Sequence, residues 1–248
     1  MGELSQTTWL WLALAAVLVG LAKTAISSIG SVAVVIFAAV LPARESTGAI
    51  LPLLLAGDVV GIATYRRHVD WGVLARLLPG VLPGLLLGVW FLTVVDDTVM
   101  RYVIGTTLLL MTSVQLFQRA RPAGAGRSRP RPLGATTLGV GAAAGFTTMT
   151  ANAAGPVTTI YLIMAGLPMR RMLGTAAWFY LVVNLAKVPF SAGLGLLTRE
   201  SLVADVLLVP AMLLGAGLGV LLVGRLRQRQ FEVVALAFSA VAAVLLLV

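Results

Sequence analysis

The stretch "GFTTMTANAAGPVTTIYLIMAGLP", residues 145–168, interrupts an apolar sequence with several polar residues, a glycine and a proline. A similar stretch, "GLAKTAISSIGSVAVVIFAAVLP", begins at Gly20. In each, the polar interruption precedes a short apolar segment, 29–41 in the first stretch and 154–166 in the second. An α-helix of that length rises about 20 Å, whereas the hydrocarbon core of a bilayer is about 30 Å thick. We therefore predict that each short segment forms one arm of a re-entrant or broken-helix hairpin.

The whole chain is too apolar for a soluble domain. Of its 248 residues, 59% are hydrophobic and only 11% are charged, and the mean hydropathy is +1.01. A water-soluble fold of this size could not bury so much apolar surface, so lipid must be part of its solvent. The composition predicts an all-α integral membrane protein.

Ten apolar segments can be read along the chain, five on each side of a basic stretch at Gln118–Pro132. The predicted segments are 7–23, 29–41, 47–64, 73–94, 99–118, 133–149, 154–166, 172–190, 202–224 and 230–247. We accordingly divide the chain into a first transmembrane repeat, a linker and a second transmembrane repeat. Their predicted bounds are 1–118, 119–132 and 133–248.

The loops between these segments alternate in charge. Arginines concentrate in the loops at 65–72, 119–132, 167–171 and 225–229, while the intervening loops carry most of the acidic residues. Cytoplasmic loops of membrane proteins are enriched in Lys and Arg. The arginine-rich loops are therefore predicted to be cytoplasmic, and both termini to lie outside.

The two halves repeat a pattern of small and polar residues. A shift of about 125 residues places Gly20 on Gly145 and Gly30 on Gly155, and with one added residue it places Asp58 on Asn184. Because each half has an odd number of segments, the second half should be inverted relative to the first. Loops at matching positions carry opposite charge bias, as inversion requires.

The polar tips of the two hairpins are suited to an anion. If the hairpins enter from opposite faces, the tips approach each other near the midplane, and the short helices direct their amino-terminal ends at a shared cavity. Free N–H groups and the positive end of the helix dipole favour negative charge there. The residues predicted to form the tips are Ser27, Ser28, Gly30, Ser31, Thr150, Asn152, Gly155 and Pro156. Alternatively, these small residues simply allow transmembrane helices to pack closely.

Three ionisable residues fall within apolar spans, where a charge is costly. Lys23 lies next to the first tip, and Lys187 lies on the same segment as Asn184, which is itself a candidate substrate ligand. Either lysine could bind substrate or extend its ammonium group to the membrane surface. Asp58, the one carboxylate that the sequence places deep in a span, is predicted first to pair with a lysine; carrying a coupling proton and capping a helix break are the alternatives.

No enzyme motif accompanies these residues. The sequence lacks GxSxG, HExxH and Walker A patterns, and it contains one His and no Cys. We expect no catalysis, no cofactor and no metal site. The net charge of +9 is explained by basic cytoplasmic loops, so no nucleic-acid partner is expected. Two residues, Tyr161 and Trp178, are candidate cavity walls.

Four stretches together resemble the TauE/SafE family of sulfite exporters and related small-anion permeases. They are "GLAKTAISSIGSV", "LLLAGDVVGIATYRRHVDW", "FTTMTANAAGPVTTIYLIMAGLP" and "GTAAWFYLVVNLAKVPF", and the similarity runs from about Leu10 to Val248. The opening "AKTAISSIGS" departs from the denser glycine run of many relatives. The resemblance implies two duplicated halves and transport of sulfite, sulfonates or related oxyanions across a prokaryotic plasma membrane.

Our sequence-based interpretation is a secondary transporter that holds a small oxyanion between the two inverted tips. Its partners would be that anion and the lipid bilayer, with proton coupling through Asp58 as an option and no oligomeric state assigned. A passive anion channel of the same architecture is the alternative. A substrate-free membrane scaffold is a third, but a scaffold gains nothing from costly charges inside the membrane.

Overall fold

The fold was obtained as a computed structural model that describes residues 5–25, 29–120 and 135–222, together with positions 237, 240, 241, 243 and 244. Within these residues all regular structure is helical. The helices are α1 (Gln6–Thr24), α2 (Gly30–Val40), α3 (Ala43–Ala49), α4 (Leu51–Tyr65), α5 (Trp71–Val94), α6 (Asp97–Ala120), α7 (Ala135–Ala151), α8 (Ala154–Met164), α9 (Met169–Gly193) and α10 (Arg199–Leu222), with a short 3-10 turn at Arg66–His68.

Each of the first nine predicted segments coincides with one of these helices or with the α3–α4 pair. Six helical stretches are long and apolar enough to cross a membrane, and α2 and α8 are shorter apolar helices. The prediction of an all-α integral membrane protein is confirmed. The loop at 225–229, most of the linker at 119–132 and most of segment 230–247 lie outside the described residues, so five segments per half remains a prediction.

Local sequence explains where several helices begin. The side chains of Asp70 and Asp96 accept hydrogen bonds from the first-turn N–H groups of Val73 and Val99, at 3.1 Å and 2.8 Å. These contacts satisfy donors that a helix start would otherwise leave unpaired. Pro52, in the first turn of α4, lacks an N–H group and helps to separate α4 from α3. The residues before position 47, predicted as a loop, are in fact helical in α3.

The two halves interlock through their helices. α1 packs along α10, and α7 packs along α5, while α4 lies against α9. If the halves are exchanged, α1 corresponds to α7 and α10 to α5, so the two long contacts are equivalent. Glycines allow both contacts: a Cβ atom on Gly20 would overlap the backbone of α10, and one on Gly145 would overlap the backbone of α5. Close backbone approach is a common way to pack helices in lipid.

Loops that were predicted to share a side of the membrane lie together. A guanidinium nitrogen of Arg171 is 3.9 Å from a carboxylate oxygen of Asp70, which joins two of the arginine-rich loops. At the other end of the helices, the backbone N–H of Arg44 donates to Asp97 at 2.9 Å. The charge alternation in the sequence thus corresponds to two distinct ends of the fold.

Candidate anion-binding site

Both predicted hairpins are present as pairs of packed helices, α1 with α2 and α7 with α8. The first hairpin is fixed near its tip by the Tyr65 hydroxyl, which donates to the carbonyl of Thr24 at 2.9 Å. At the second tip, Asn152 Nδ2 donates to the carbonyl of Thr47 at 3.1 Å. Thr47 and Tyr65 lie near opposite ends of the α3–α4 pair, roughly 27 Å apart by helical rise. The two tips are therefore anchored on different parts of the α3–α4 pair.

A cavity of about 90 Å³ lies between the tips, well above the ~15 Å³ that one water molecule needs. Residues of both hairpins line it, together with residues of α4, α6 and α9. Seven of the residues predicted to form the site are among them: Lys23, Gly30, Ser31, Asn152, Gly155, Pro156 and Asn184. The structure thus brings together residues that are more than 100 positions apart in sequence.

The amino-terminal turns of α2 and α8 both reach this cavity. Gly30 and Ser31 belong to the first, and Ala154, Gly155 and Pro156 to the second. Neither helix has a side-chain cap at its start. Uncapped N–H groups at a helix start carry partial positive charge and bind anions well.

Lys23 supplies a full positive charge to the same cavity. Its Nζ atom is 2.5 Å from Asp58 Oδ1 and 5.0 Å from the centroid of the Tyr180 ring. The other carboxylate oxygen of Asp58 accepts a hydrogen bond from Asn184 Nδ2 at 2.6 Å. The structure therefore places Asp58 in an ion pair with Lys23, and its repeat counterpart Asn184 completes the contact.

Lys187 occupies a different position from the one expected of a substrate ligand. It is 1% exposed, and its Nζ donates to the carbonyl of Thr148 at 2.8 Å and to Asn152 Oδ1 at 2.5 Å. Its ammonium group holds the end of α7 and does not extend to the surface. Since Asn152 also donates to Thr47, its side-chain amide ties the second tip to both α9 and α3.

Asn152 has a backbone conformation that suits the sharp turn between α7 and α8. Its φ of 49° lies in the left-handed region, which Asn adopts more readily than most residues other than glycine. Thr150 is fully buried, and its hydroxyl donates to the carbonyl of Phe146 within α7 at 2.9 Å. Thr150 does not line the cavity. Ser27 and Ser28 lie outside the described residues.

Several residues of the cavity were missed from the sequence. Tyr180 provides its aromatic wall, whereas Tyr161 and Trp178 do not line it. Tyr180 lies four residues before Asn184, hence on the same face of α9, and this spacing is the signal that could have identified it. On α6, Thr112 and Gln115 also line the cavity, and their spacing of three within an apolar span gives the same kind of signal.

A second buried carboxylate corrects the expectation that Asp58 is the one acid deep in a span. Asp205 on α10 is 3% exposed, and its Oδ2 atom has no hydrogen-bond partner within the part of the chain that the structure describes. It lies in a small pocket with Leu12, Phe37 and Leu208, away from the main cavity. Asp205 lies five residues after Glu200 in α10.

The fold and the cavity define a multi-pass α-helical membrane protein of the transporter class. The family model described as "Sulfite exporter TauE/SafE" matches residues 12–246. The chain belongs to the TauE/SafE sulfite exporter family, as the four sequence stretches suggested. Neither a search of curated proteins nor one of solved structures found a match.

Proposed function

We propose that this protein is a secondary transporter for a small oxyanion, such as sulfite or an organosulfonate, in a prokaryotic plasma membrane. The substrate would be held in the cavity between the two hairpin tips. The single observation that carries this proposal is the charge of the cavity wall. Among the described residues that line the cavity, Lys23 is the one charged residue, and the starts of α2 and α8 line the same cavity.

The charges around the cavity favour an anion over a cation. Lys23 and Lys187 are both largely buried, and Asp58 is the one carboxylate bonded to either of them among the described residues. With both lysines protonated, these three side chains carry one excess positive charge. An oxyanion in the cavity would offset this excess, because buried charges are stable only when paired.

The chain would transport by alternating access. We assign residues 1–118 and 133–248 to two inverted repeats, and rocking of one unit against the other would expose the cavity to each side in turn. The interlocked packing of α1 with α10 and of α7 with α5 supports this division. Lys23, the start of α2 at Gly30 and Ser31 and the start of α8 near Gly155 would hold the anion. Ser27, Ser28 and Asn152 would complete the tips, Lys187 would fix the second tip, and no catalytic step is involved.

The test is anion binding to the detergent-purified protein, measured as thermal stability with sulfite, sulfate, thiosulfate, taurine, sulfoacetate, acetate and chloride. A ligand at about one hundred times its Kd stabilises the folded state by roughly 2.7 kcal/mol. We expect a selective increase with a sulfur oxyanion or sulfonate, and its loss in Lys23→Met. Arg67→Gln, which removes an exposed cation outside the cavity, is the control and should keep the increase.

Flux into liposomes separates a carrier from the alternative of a passive anion channel. A carrier accelerates uptake of labelled sulfite when unlabelled sulfite is present on the opposite side, whereas a channel shows no such counterflow. Sulfite-specific counterflow that Lys23→Met abolishes would support the proposal. Conduction without counterflow would replace it with the channel, and absence of both binding and flux would reject it.

A further inference from the structure

Lys23 lies on a wall shared by two cavities. Besides the main cavity, a smaller one of about 30 Å³ is lined by Asp58, Gly61 and Tyr65. Lys23, Ala22 and Tyr180 line both. Asp58 lines the smaller cavity and not the main one. The Lys23–Asp58 ion pair therefore forms part of the partition between the two spaces.

The two side chains of this ion pair differ in how exposed they are and how firmly they are held. The Asp58 side chain is 0% exposed and the Lys23 side chain is 13% exposed. Asp58 is fixed from its far side by the 2.6 Å hydrogen bond from Asn184. Lys23 has a flexible four-carbon chain and a small, strongly hydrated ammonium group. An anion entering the main cavity would meet Lys23 first.

Gly57 and Tyr180 flank the Lys23 side chain. Its side chain crosses Gly57, where a Cβ atom would lie only 2.9 Å from Lys23 Cγ. The Tyr180 ring, whose centroid is 5.0 Å from Nζ, offers the ammonium a favourable aromatic face. Because Tyr180 lines both cavities, an ammonium group that turned from Asp58 towards the main cavity would still lie beside its ring.

We propose that Asp58 is an internal competitor of the substrate anion for Lys23. This inference rests on the proposed transporter function. Lys23 binds Asp58 when the main cavity is empty and binds the oxyanion when the cavity is filled. A carboxylate and an oxyanion present the same kind of charged oxygen to an ammonium group. The apparent affinity for the anion is lowered by the fraction of molecules in which Lys23 is free, and weaker binding assists release on the far side of the membrane.

The proposal is tested by the anion affinity of Asp58→Asn, measured by isothermal titration of sulfite and sulfate into the purified protein. Removing the competitor should tighten binding about tenfold, within the usual range for coupled sites. Asp58→Glu keeps the charge and should bind much as the wild type does. Asp205→Asn is the matched control, because it also removes a buried acid without freeing Lys23, and its affinity should be unchanged. The double variant Lys23→Met with Asp58→Asn should bind no anion.

The outcomes separate this proposal from the proposed function. If wild-type protein binds sulfite and folded Asp58→Asn binds it no more tightly, the competitor role is wrong and the transporter function stands. If no variant and no wild-type sample binds any anion, both fail. Where Asp58→Asn folds only when sulfite is present, the anion has replaced the carboxylate and the proposal is supported. Failure to fold at every sulfite concentration overturns it.

Discussion

Lys187 shows how one residue can support a site without lining it. Its buried ammonium group bonds to the Thr148 carbonyl and to Asn152 Oδ1, so it fixes the carboxyl end of α7 and the second tip together. Under the predicted repeat, the first half has its lysine on the hairpin helix, whereas the second half has its lysine on the helix that packs against the hairpin. Lys23 corresponds to Thr148, and Gly61, which lies against the Lys23 carbonyl, corresponds to Lys187. Lys23 lies on α1 and pairs with Asp58, whereas Lys187 lies on α9 and bonds to the second tip.

We predict that Lys187→Met destabilises the protein by about 1–3 kcal/mol, because two buried acceptors lose their donor. Thermal unfolding in detergent measures the loss. Combining Asn152→Ala with Lys187→Met should then destabilise the protein by less than the sum of the two single effects, since the Lys187–Asn152 contact cannot be lost twice. Fully additive effects would mean that the two side chains act independently. If the Lys187 ammonium group extended to the membrane surface instead, Lys187→Met would leave the free energy of unfolding almost unchanged.

At the scale of helices, glycines determine which helix faces can approach a neighbouring helix closely. Gly215 on α10 faces the backbone of Val17 on α1, while Gly217, two residues further on, has no atom within 4 Å of a Cβ placed on it. Gly215 is the repeat counterpart of Gly88, which faces Met149 on α7. The same two helix contacts that lock the halves together therefore use glycine at matching positions.

Gly215→Ala is expected to destabilise the protein by about 1–3 kcal/mol, because the added methyl group would separate α1 from α10. Gly217→Ala, on the same helix, should be neutral or stabilising by up to ~1 kcal/mol, since alanine favours helix more than glycine does. Thermal unfolding of the two variants side by side makes the comparison. Equal losses in both would show that the α1–α10 contact does not depend on Gly215.

At the scale of the whole molecule, the inverted arrangement predicts which loops face which side. The chain has no cysteine, so a single introduced thiol reports its own location without background. Arg67→Cys and Arg170→Cys should react with a membrane-impermeant thiol reagent only from the cytoplasmic side. Thr98→Cys and Arg199→Cys should react only from outside, because of the positive-inside distribution of charge. Labelling of Arg67→Cys and Arg170→Cys from opposite sides would refute the predicted topology.

The helices and the hairpins could be predicted because their signals are local. Runs of apolar residues, the polar tips near Gly30 and Asn152 and the arginine-rich loops each act within a few turns of chain. The correspondence of Asp58 with Asn184 also follows from sequence alone. The sequence by itself thus determined the class of protein, the short segments and seven of the residues that line the cavity.

Only the tertiary structure decided which of these residues meet. The Lys23–Asp58 pair joins residues 35 positions apart, and the Asp58–Asn184 contact joins residues 126 apart. Whether a lysine in an apolar span lines a cavity or holds a helix end depends on the neighbours that other helices bring to it. The burial of Asp205 depends in the same way on α1, which packs along α10. Long-range packing is not encoded in any one stretch, because each helix face is defined only by the surfaces that cover it.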